Sequence, residues 1–467
     1  MIKLLTQFAL LAIWGLGLAA YATAGTTTLS DQADVRLEQG EVIEDIHTTY
    51  GTLTLDVLTG TSQPHYLLQL PPGLSVADFL IQADADARIK SADVVYEVGS
   101  PMPSTQSLFF PRASLEYWNQ PARFILDLNR EPVAPPGRAP GPVPSIVVAI
   151  VDTGIDTDHP LLISSLATGI SVFPDDPSVE DAPNGIDEDG DGLFDEVAGH
   201  GTFVAGLVHY VAPNAVLMPI RAMTSDGTST SFLVAKGITA AVLNGAHVIN
   251  VSLGTAGDAN VIADAIETAE GMGVLVVAAA GNDSAAAAQF PAQSSIELST
   301  IGVAGTQDND VLAPFSNYGA GVSICAPSEM LVSSFFGGEY RSASGTSFST
   351  ALVTGAAARM LSASPALSPA QVRTLLASTA VSIDAANPGH AGELGAGRLD
   401  AGAALAQAGA TLPLLAGDFN GDGTSNLDDL NIFLSVFGQT TFVGDINGDG
   451  APNIDDLQLL LFGFGGQ

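Results

Sequence analysis

Cysteine is nearly absent: Cys325 is the only one in 467 residues, which excludes an intrachain disulfide. In an oxidising compartment, stability must then come from the core or from bound metal. Cys325 lies in Val322-Ser323-Ile324-Cys325-Ala326-Pro327, which reads as a buried strand end, so it is expected to be a small buried hydrophobe rather than a reactive thiol. Positive charge is scarce too, with 14 Lys and Arg against 50 Asp and Glu and a formal net charge of −36. From Ser145 onward the only bases are Arg221, Lys236, Arg341, Arg359, Arg373 and Arg398. So acidic a surface repels nucleic acid and anionic membranes, and neither is expected as a partner. Long apolar runs are missing except at the start. There Lys3, the apolar stretch Leu4 to Ala20 and Ala22-Thr23-Ala24 read as a secretory signal over residues 1–24. An uncleaved anchor is the alternative, but Thr6 and Gln7 interrupt a run already short for one. The protein is expected to be secreted, with no transmembrane segment after cleavage.

An apolar content of 46% and 50 glycines fit an ordered globular chain long enough for several domains. Residues 25–140 form a first region, with alternating runs such as Leu53-Thr54-Leu55-Asp56-Val57 that suit short strands with one or two helices. It closes in a Pro- and Gly-dense stretch from Pro132 to Pro144, suited to an exposed linker. Residues 145–409 change pattern. Apolar strands are expected at Ile146–Val151, Val216–Ile220, His247–Val251, Val274–Ala279 and Thr300–Val303. Helices are expected at Phe203–Tyr210, Ser231–Asn244, Val261–Met272, Ala351–Ser362 and Pro369–Ser378. That alternation indicates an α/β domain with a doubly wound parallel sheet covered on both faces, whose active site lies beyond the carboxyl ends of the strands.

Three segments of this region carry chemistry. Asp152, in Ala149-Ile150-Val151-Asp152-Thr153-Gly154, follows a buried strand. His200, in Gly199-His200-Gly201-Thr202-Phe203-Val204-Ala205-Gly206, opens a helix of small residues 48 residues later. Ser347 stands 147 residues further on, in Ser344-Gly345-Thr346-Ser347-Phe348-Ser349-Thr350, at the start of another helical run. A hydroxyl becomes a nucleophile when a base takes its proton, and a helix N-terminus favours developing negative charge. In this order, over residues 145–405, the segments resemble the subtilisin-type (subtilase) serine endopeptidases. The resemblance extends to Val248-Ile249-Asn250-Val251-Ser252-Leu253-Gly254, Ala278-Ala279-Ala280-Gly281-Asn282 and Gly395-Ala396-Gly397-Arg398.

The resemblance implies His200 as general base, Asp152 as its orienting partner and Ser347 as nucleophile. It makes Asn282 an oxyanion donor beside the Ser347 N–H. Ser252, Leu253, Gly254, Ala279, Ala280 and Gly281 would bind the substrate as an added strand around a small, uncharged pocket. The first region would be an α+β propeptide. Three departures stand out: Ala351 replaces a usual proline and leaves the helix start in doubt, Phe203 replaces a second histidine, and Ser328 follows Ala-Pro where glycine is usual.

Calcium loops form a second theme. Between Asp152 and His200, Asp187, Asp189, Asp191 and Asp195 fall at the first, third, fifth and ninth places of a calcium loop, with Gly192 sixth and Ala198 where a bidentate acid is usual. A solvated acidic loop is the alternative. Near the end, Asp418, Asn420, Asp422, Asn426 and Asp429 recur 27 residues later as Asp445, Asn447, Asp449, Asn453 and Asp456. Each copy runs into a helix-period stretch, and residues 414–467 resemble a dockerin type I module, which implies a small all-α, calcium-dependent unit with a cohesin-like receptor. A calcium-binding stalk without such a partner is equally open. The whole chain is expected to be a secreted, calcium-stabilised serine endopeptidase acting on protein or peptide substrates, with no cofactor for catalysis. The alternative is a catalytically silent or very narrow subtilase-fold protein that mainly binds or anchors.

Overall fold

The computed structural model describes residues 28–99, 110–118, 120–128, 145–255, 257–296, 298 and 300–410. The signal, the Pro-rich stretch and both C-terminal calcium loops lie outside the described residues. The first body contains β1 (Thr28–Leu37), α1 (Ile43–Tyr50), β2 (Leu53–Leu58), β3 (His65–Gln69), α2 (Val76–Asp84) and β4 (Ile89–Gly99). Its strands pair antiparallel in the order β2-β3-β1-β4. Ala33, Val35 and Leu37 alternate inward from β1 against Ile46, Leu68 and Phe79, the period expected of a sheet with one wet face. Ser75 caps α2 by accepting from Asp78 N–H at 3.1 Å.

The second body opens with β5 (Phe110–Pro111), α3 (Ser114–Trp118) and α4 (Ala122–Ile125). There follow β6 (Val147–Asp152), β7 (Ile170–Ser171), α5 (His200–Val211), β8 (Val216–Arg221), β9 (Thr228–Thr230), α6 (Ser231–Leu243), β10 (Val248–Val251), α7 (Asn260–Gly271) and β11 (Leu275–Ala279). It continues through β12 (Ile301–Thr306), β13 (Ile324–Pro327), β14 (Leu331–Phe335), β15 (Glu339–Ala343), α8 (Thr346–Ala363), α9 (Pro369–Thr379) and α10 (Ala401–Ala410). Seven strands form one sheet in the order β13-β12-β11-β10-β6-β8-β7, every neighbouring pair parallel. Alternation along β6 serves both faces. Val148 and Ile150 point into a core with α5 and α8, while Ala149 and Val151 point into one with α6 and α7. A strand buried on both sides has to be apolar throughout, which is why these strands read as unbroken runs. Cys325 is fully buried in β13, and burial pushes its thiol up to about 12.

Residues 110–128 have the composition of the first region, yet they are stitched to the second body. β5 pairs with β15, Tyr117 donates its hydroxyl to Gly206 C=O at 2.7 Å, and Gln120 exchanges two 3.0 Å bonds with the Val332 backbone. Leu126 C=O accepts from Gly402 N–H at 3.2 Å.

The two bodies share a seam. β4 pairs antiparallel with β9, so the first sheet ends on a strand of the second body. Lys236 on α6 pairs with Asp56 at 2.6 Å, and Asp264 on α7 pairs with Arg36. Between them His65, 1% exposed at its side chain, places Nδ1 2.8 Å from Asp34 and Nε2 3.0 Å from Asp264. Carboxylates only accept, so both ring nitrogens must donate and His65 is held as the imidazolium. At its end β4 meets Ser252–Gly254: Gly99 and Gly254 exchange two backbone bonds of 3.2 Å.

Candidate active site

The carboxyl ends of β6, β10 and β11 bring Asp152, Ser252 and Asn282 to one edge of the sheet, and α5 and α8 deliver His200 and Ser347 to the same edge. Asp152, His200 and Ser347 are all fully buried. His200 Nδ1 lies 2.6 Å from Asp152 Oδ1, which also accepts from Thr153 N–H at 2.8 Å. Gly201 permits this approach, because a Cβ there would overlap the Gly154 carbonyl and crowd Asp152. Gly199 turns the chain into α5 at φ 93°, and a Cβ there would enter the Phe335 ring. Burial alone would lower the His200 pKa, but the charge and hydrogen bond of Asp152, with the charge of Asp181 behind, reverse that and hold it above the usual value. His200 Nε2 has no hydrogen-bond partner among the described residues.

Ser347 is the second residue of α8, where backbone N–H groups are unpaired by the helix. Its Oγ donates to Ser252 C=O at 3.4 Å, and its own C=O accepts from Ser252 Oγ at 3.1 Å. Behind this pair, Asn250 Nδ2 donates to Ser252 Oγ at 2.8 Å, and Thr354 of α8 donates to Asn250 Oδ1 at 2.9 Å. Asn282 accepts from Thr346 N–H through Oδ1 at 2.9 Å, so its amide NH₂ is the end turned the other way. Ala279, Ala280 and Gly281 follow on from β11, and the Ala280 carbonyl is held by Asn317 at 3.0 Å and by Gln289 N–H at 2.8 Å. Asp283 accepts from Gln289 at 2.7 Å.

Sequence reasoning missed two members of this region. Asp181 is 1% exposed and takes four hydrogen bonds: Oδ1 accepts from Thr153 Oγ1 at 2.9 Å and Gly199 N–H at 2.8 Å, and Oδ2 accepts from Thr202 N–H at 2.9 Å and Thr202 Oγ1 at 2.7 Å. Thr153 Oγ1 in turn accepts from Gly201 N–H at 2.9 Å. Nothing marks Asp181 within the acidic run Asp175, Asp176, Glu180, Asp181.

In the loop before His200, one carboxylate oxygen from each of Asp187, Asp189 and Asp191 lies within 4.8 Å of the other two. Two oxygens on opposite sides of a calcium ion stand about 4.6–5.2 Å apart, so the three fit one ion. Burial and the like charges of Asp191, Asp226 and Asp187 push the Asp189 carboxyl up. Asp195 does not join them; its carboxylate accepts from Asn184 and Gly185 N–H at 2.6 and 2.9 Å and shapes the loop entrance.

Among protein families, residues 144–401 match the subtilase family, peptidase S8. The chain belongs to the subtilase family. That membership makes it a subtilisin-like serine endopeptidase, a hydrolase. It is 36% identical over 251 residues to subtilisin BL of Lederbergia lenta, covering 52% of this chain and 86% of that one. Thermitase of Thermoactinomyces vulgaris is 37% identical over 234 residues, covering 50% and 80%. An alkaline protease of Alkalihalobacillus alcalophilus is 36% identical over 251 residues, covering 52% of this chain and 60% of that protein. The solved structure of fervidolysin from Fervidobacterium pennivorans, described as a keratinolytic enzyme related to subtilisin, aligns with a TM-score of 0.64 at 25% identity. It covers 82% of this chain and 61% of fervidolysin, so this chain spans less than two thirds of fervidolysin and of the alkaline protease.

The departures from the subtilase pattern have local explanations. Ala351 leaves α8 unbroken from Thr346 to Ala363. Phe203 and Phe348 pack on each other with centroids 4.4 Å apart, and Phe348 lies 5.7 Å from the His200 ring. Ser328 donates to Thr306 C=O at 3.0 Å while its carbonyl accepts from Gly345 N–H at 2.9 Å, just before α8.

Proposed function

We propose that this subtilase hydrolyses internal peptide bonds through an acyl-enzyme on Ser347. The observation that carries the reading is the buried 2.6 Å pairing of His200 Nδ1 with Asp152, which fixes the imidazole tautomer and leaves Nε2 as the basic nitrogen. His200 Nε2 takes the proton of Ser347 Oγ as the oxygen attacks the scissile carbonyl, then returns it to the leaving amine. Asp152 steadies the imidazolium between the two transfers. The oxyanion is met by the Asn282 amide and the Ser347 N–H at the positive end of α8. The peptide adds as a strand to Ser252–Gly254, the edge that Gly99 occupies here. Small, uncharged walls at Ala279, Ala280 and Gly281 suit apolar or medium-sized side chains. Casein hydrolysis by the intact chain, compared with Ser347→Ala, tests the reading.

The first body is read as a propeptide that blocks the cleft until it is cut away, because its last strand runs onto the substrate edge. Its hold is pH-dependent through His65. Burial opposes the cation, but Asp264 and Asp34 outweigh it and raise the pKa from 6.5 to about 9. The stabilisation is then complete below pH 6.5 and lost as pH rises through about 9. In an uncut chain, the melting midpoint should fall more between pH 6.5 and 9.5 than it does in His65→Gln. Parallel curves for the two proteins would remove this role.

Asp187, Asp189 and Asp191 are read as a structural calcium site. Calcium would screen three crowded carboxylates and tie the loop ahead of His200. A chelator should lower the melting midpoint, and Asp187→Ala should shrink that shift; a ligand at 100 times its Kd contributes about 2.7 kcal/mol. A midpoint indifferent to chelator in both proteins would dismiss the site. The secretory signal and the dockerin-like tail, with calcium on its two loops and a cohesin-like receptor, are proposed from their sequences.

A further inference from the structure

We infer that Asp181 is a positioning residue for the general base, a second buried carboxylate that clamps the turn carrying His200 from both sides. The inference rests on the proposed proton transfer and deepens it.

Three backbone positions converge on this clamp. Asp181 receives the N–H of Gly199, the residue before His200, and the N–H and hydroxyl of Thr202, two residues after it. Through Thr153 it also reaches Gly201 N–H, so each residue around His200 answers to the same anchor. Thr153 connects the anchor to the other carboxylate, because its own N–H donates to Asp152 Oδ1. The imidazole thus sits between two carboxylates: Asp152 holds the ring, and Asp181 holds the backbone from which the ring hangs.

A neutral side chain would not serve as well. All four bonds to Asp181 come from donors, and a carboxylate has acceptor sites for all of them. An asparagine would turn an NH₂ toward donors on one side. The expense of burying this charge is visible in its chemistry: burial, opposed by the bonds from Thr202 and Gly199 and reinforced by the Asp152 charge, lifts its pKa to about 6. A buried charge four times hydrogen-bonded, yet outside the Asp-His-Ser set, is more than loop packing requires. Its charge also favours the imidazolium of His200. The titratable groups facing His200 are Asp152 from β6 and Asp181 from the segment after β7; Asp156, in the loop after β6, meets Thr202 only through its backbone N–H.

The test uses the full chain, with active sites counted by a serine-directed fluorophosphonate so that rates refer to competent molecules only. In Asp181→Asn, kcat per titrated site should fall about 10- to 100-fold, the scale of a misplaced catalytic group, with KM within about twofold. Its acid limb in kcat/KM should move to lower pH, since a negative charge near His200 is gone. Asp181→Glu keeps the charge but displaces it by one methylene; kcat should fall while the limb stays near wild type. If Asp181→Asn yields no titratable sites, the Glu variant decides. Wild-type kcat and an unmoved acid limb in every variant that titrates would overturn the inference, whatever the loss in melting midpoint. A wild-type chain that neither hydrolyses casein nor reacts with the fluorophosphonate would instead overturn the peptidase mechanism itself.

Discussion

Ser347→Ala lowers casein hydrolysis by on the order of 10⁵- to 10⁶-fold and leaves the chain uncut. Without the hydroxyl no acyl-enzyme forms, and the remaining reaction is attack by water with help from oxyanion stabilisation and binding alone, about 10³- to 10⁴-fold above the uncatalysed rate. The fold should survive the substitution. Ser347 Oγ makes one long bond of 3.4 Å to Ser252 C=O, whereas the tighter tie between these residues runs from Ser252 Oγ to the Ser347 carbonyl, which alanine keeps. Loss of activity in a chain that still melts cooperatively therefore identifies the nucleophile. A variant retaining a tenth of the wild-type rate would place the nucleophile elsewhere.

Asn282→Ala should cost about 100- to 1000-fold in kcat, or about 2.7–4 kcal/mol of transition-state stabilisation, with KM nearly unchanged. The asymmetry follows from geometry. Thr346 N–H fixes the Asn282 carbonyl end, so the amide is set in place before substrate arrives and its benefit appears as the oxyanion develops. Alanine also frees Thr346 N–H at the first turn of α8, which should appear as a modest drop in melting midpoint. A rise in KM with kcat intact would assign Asn282 to ground-state binding instead.

Much of this was readable from the chain because two signals were strong. The five expected strands appear as β6, β8, β10, β11 and β12, since a strand buried on both faces tolerates only apolar residues. Asp152, His200 and Ser347 stand in flanks dictated by close backbone approach, and glycine leaves such marks in sequence. The apolar run marks a helix only from Ala351, whereas α8 starts at Thr346. Its cap is Gly345 in extended backbone with no side-chain cap, so the usual start signal is missing. By contrast, Ser368 and Gln371 form a capping box at the start of α9, with Pro369 at its first helical position, so that start is legible in sequence. The attachment of residues 110–128 is invisible in sequence for another reason: it joins β5 to β15 through backbone pairing, and the side chains of Tyr117 and Gln120 to backbone groups 89 and 212 residues away. Asp181 and His65 share that condition. Each is defined by partners brought together only by the tertiary fold.

If the first body is cut away as proposed, the pairing of β4 with β9 has a consequence for the enzyme that remains. β9 then presents an open row of backbone donors and acceptors, the kind of edge through which separate molecules join into aggregates. Here that edge is three residues long, Thr228-Ser229-Thr230, and entirely hydroxylic. It is too short and too easily hydrated to template a neighbour, so on that proposal a surface covered in the precursor can be left bare without making the mature enzyme adhesive.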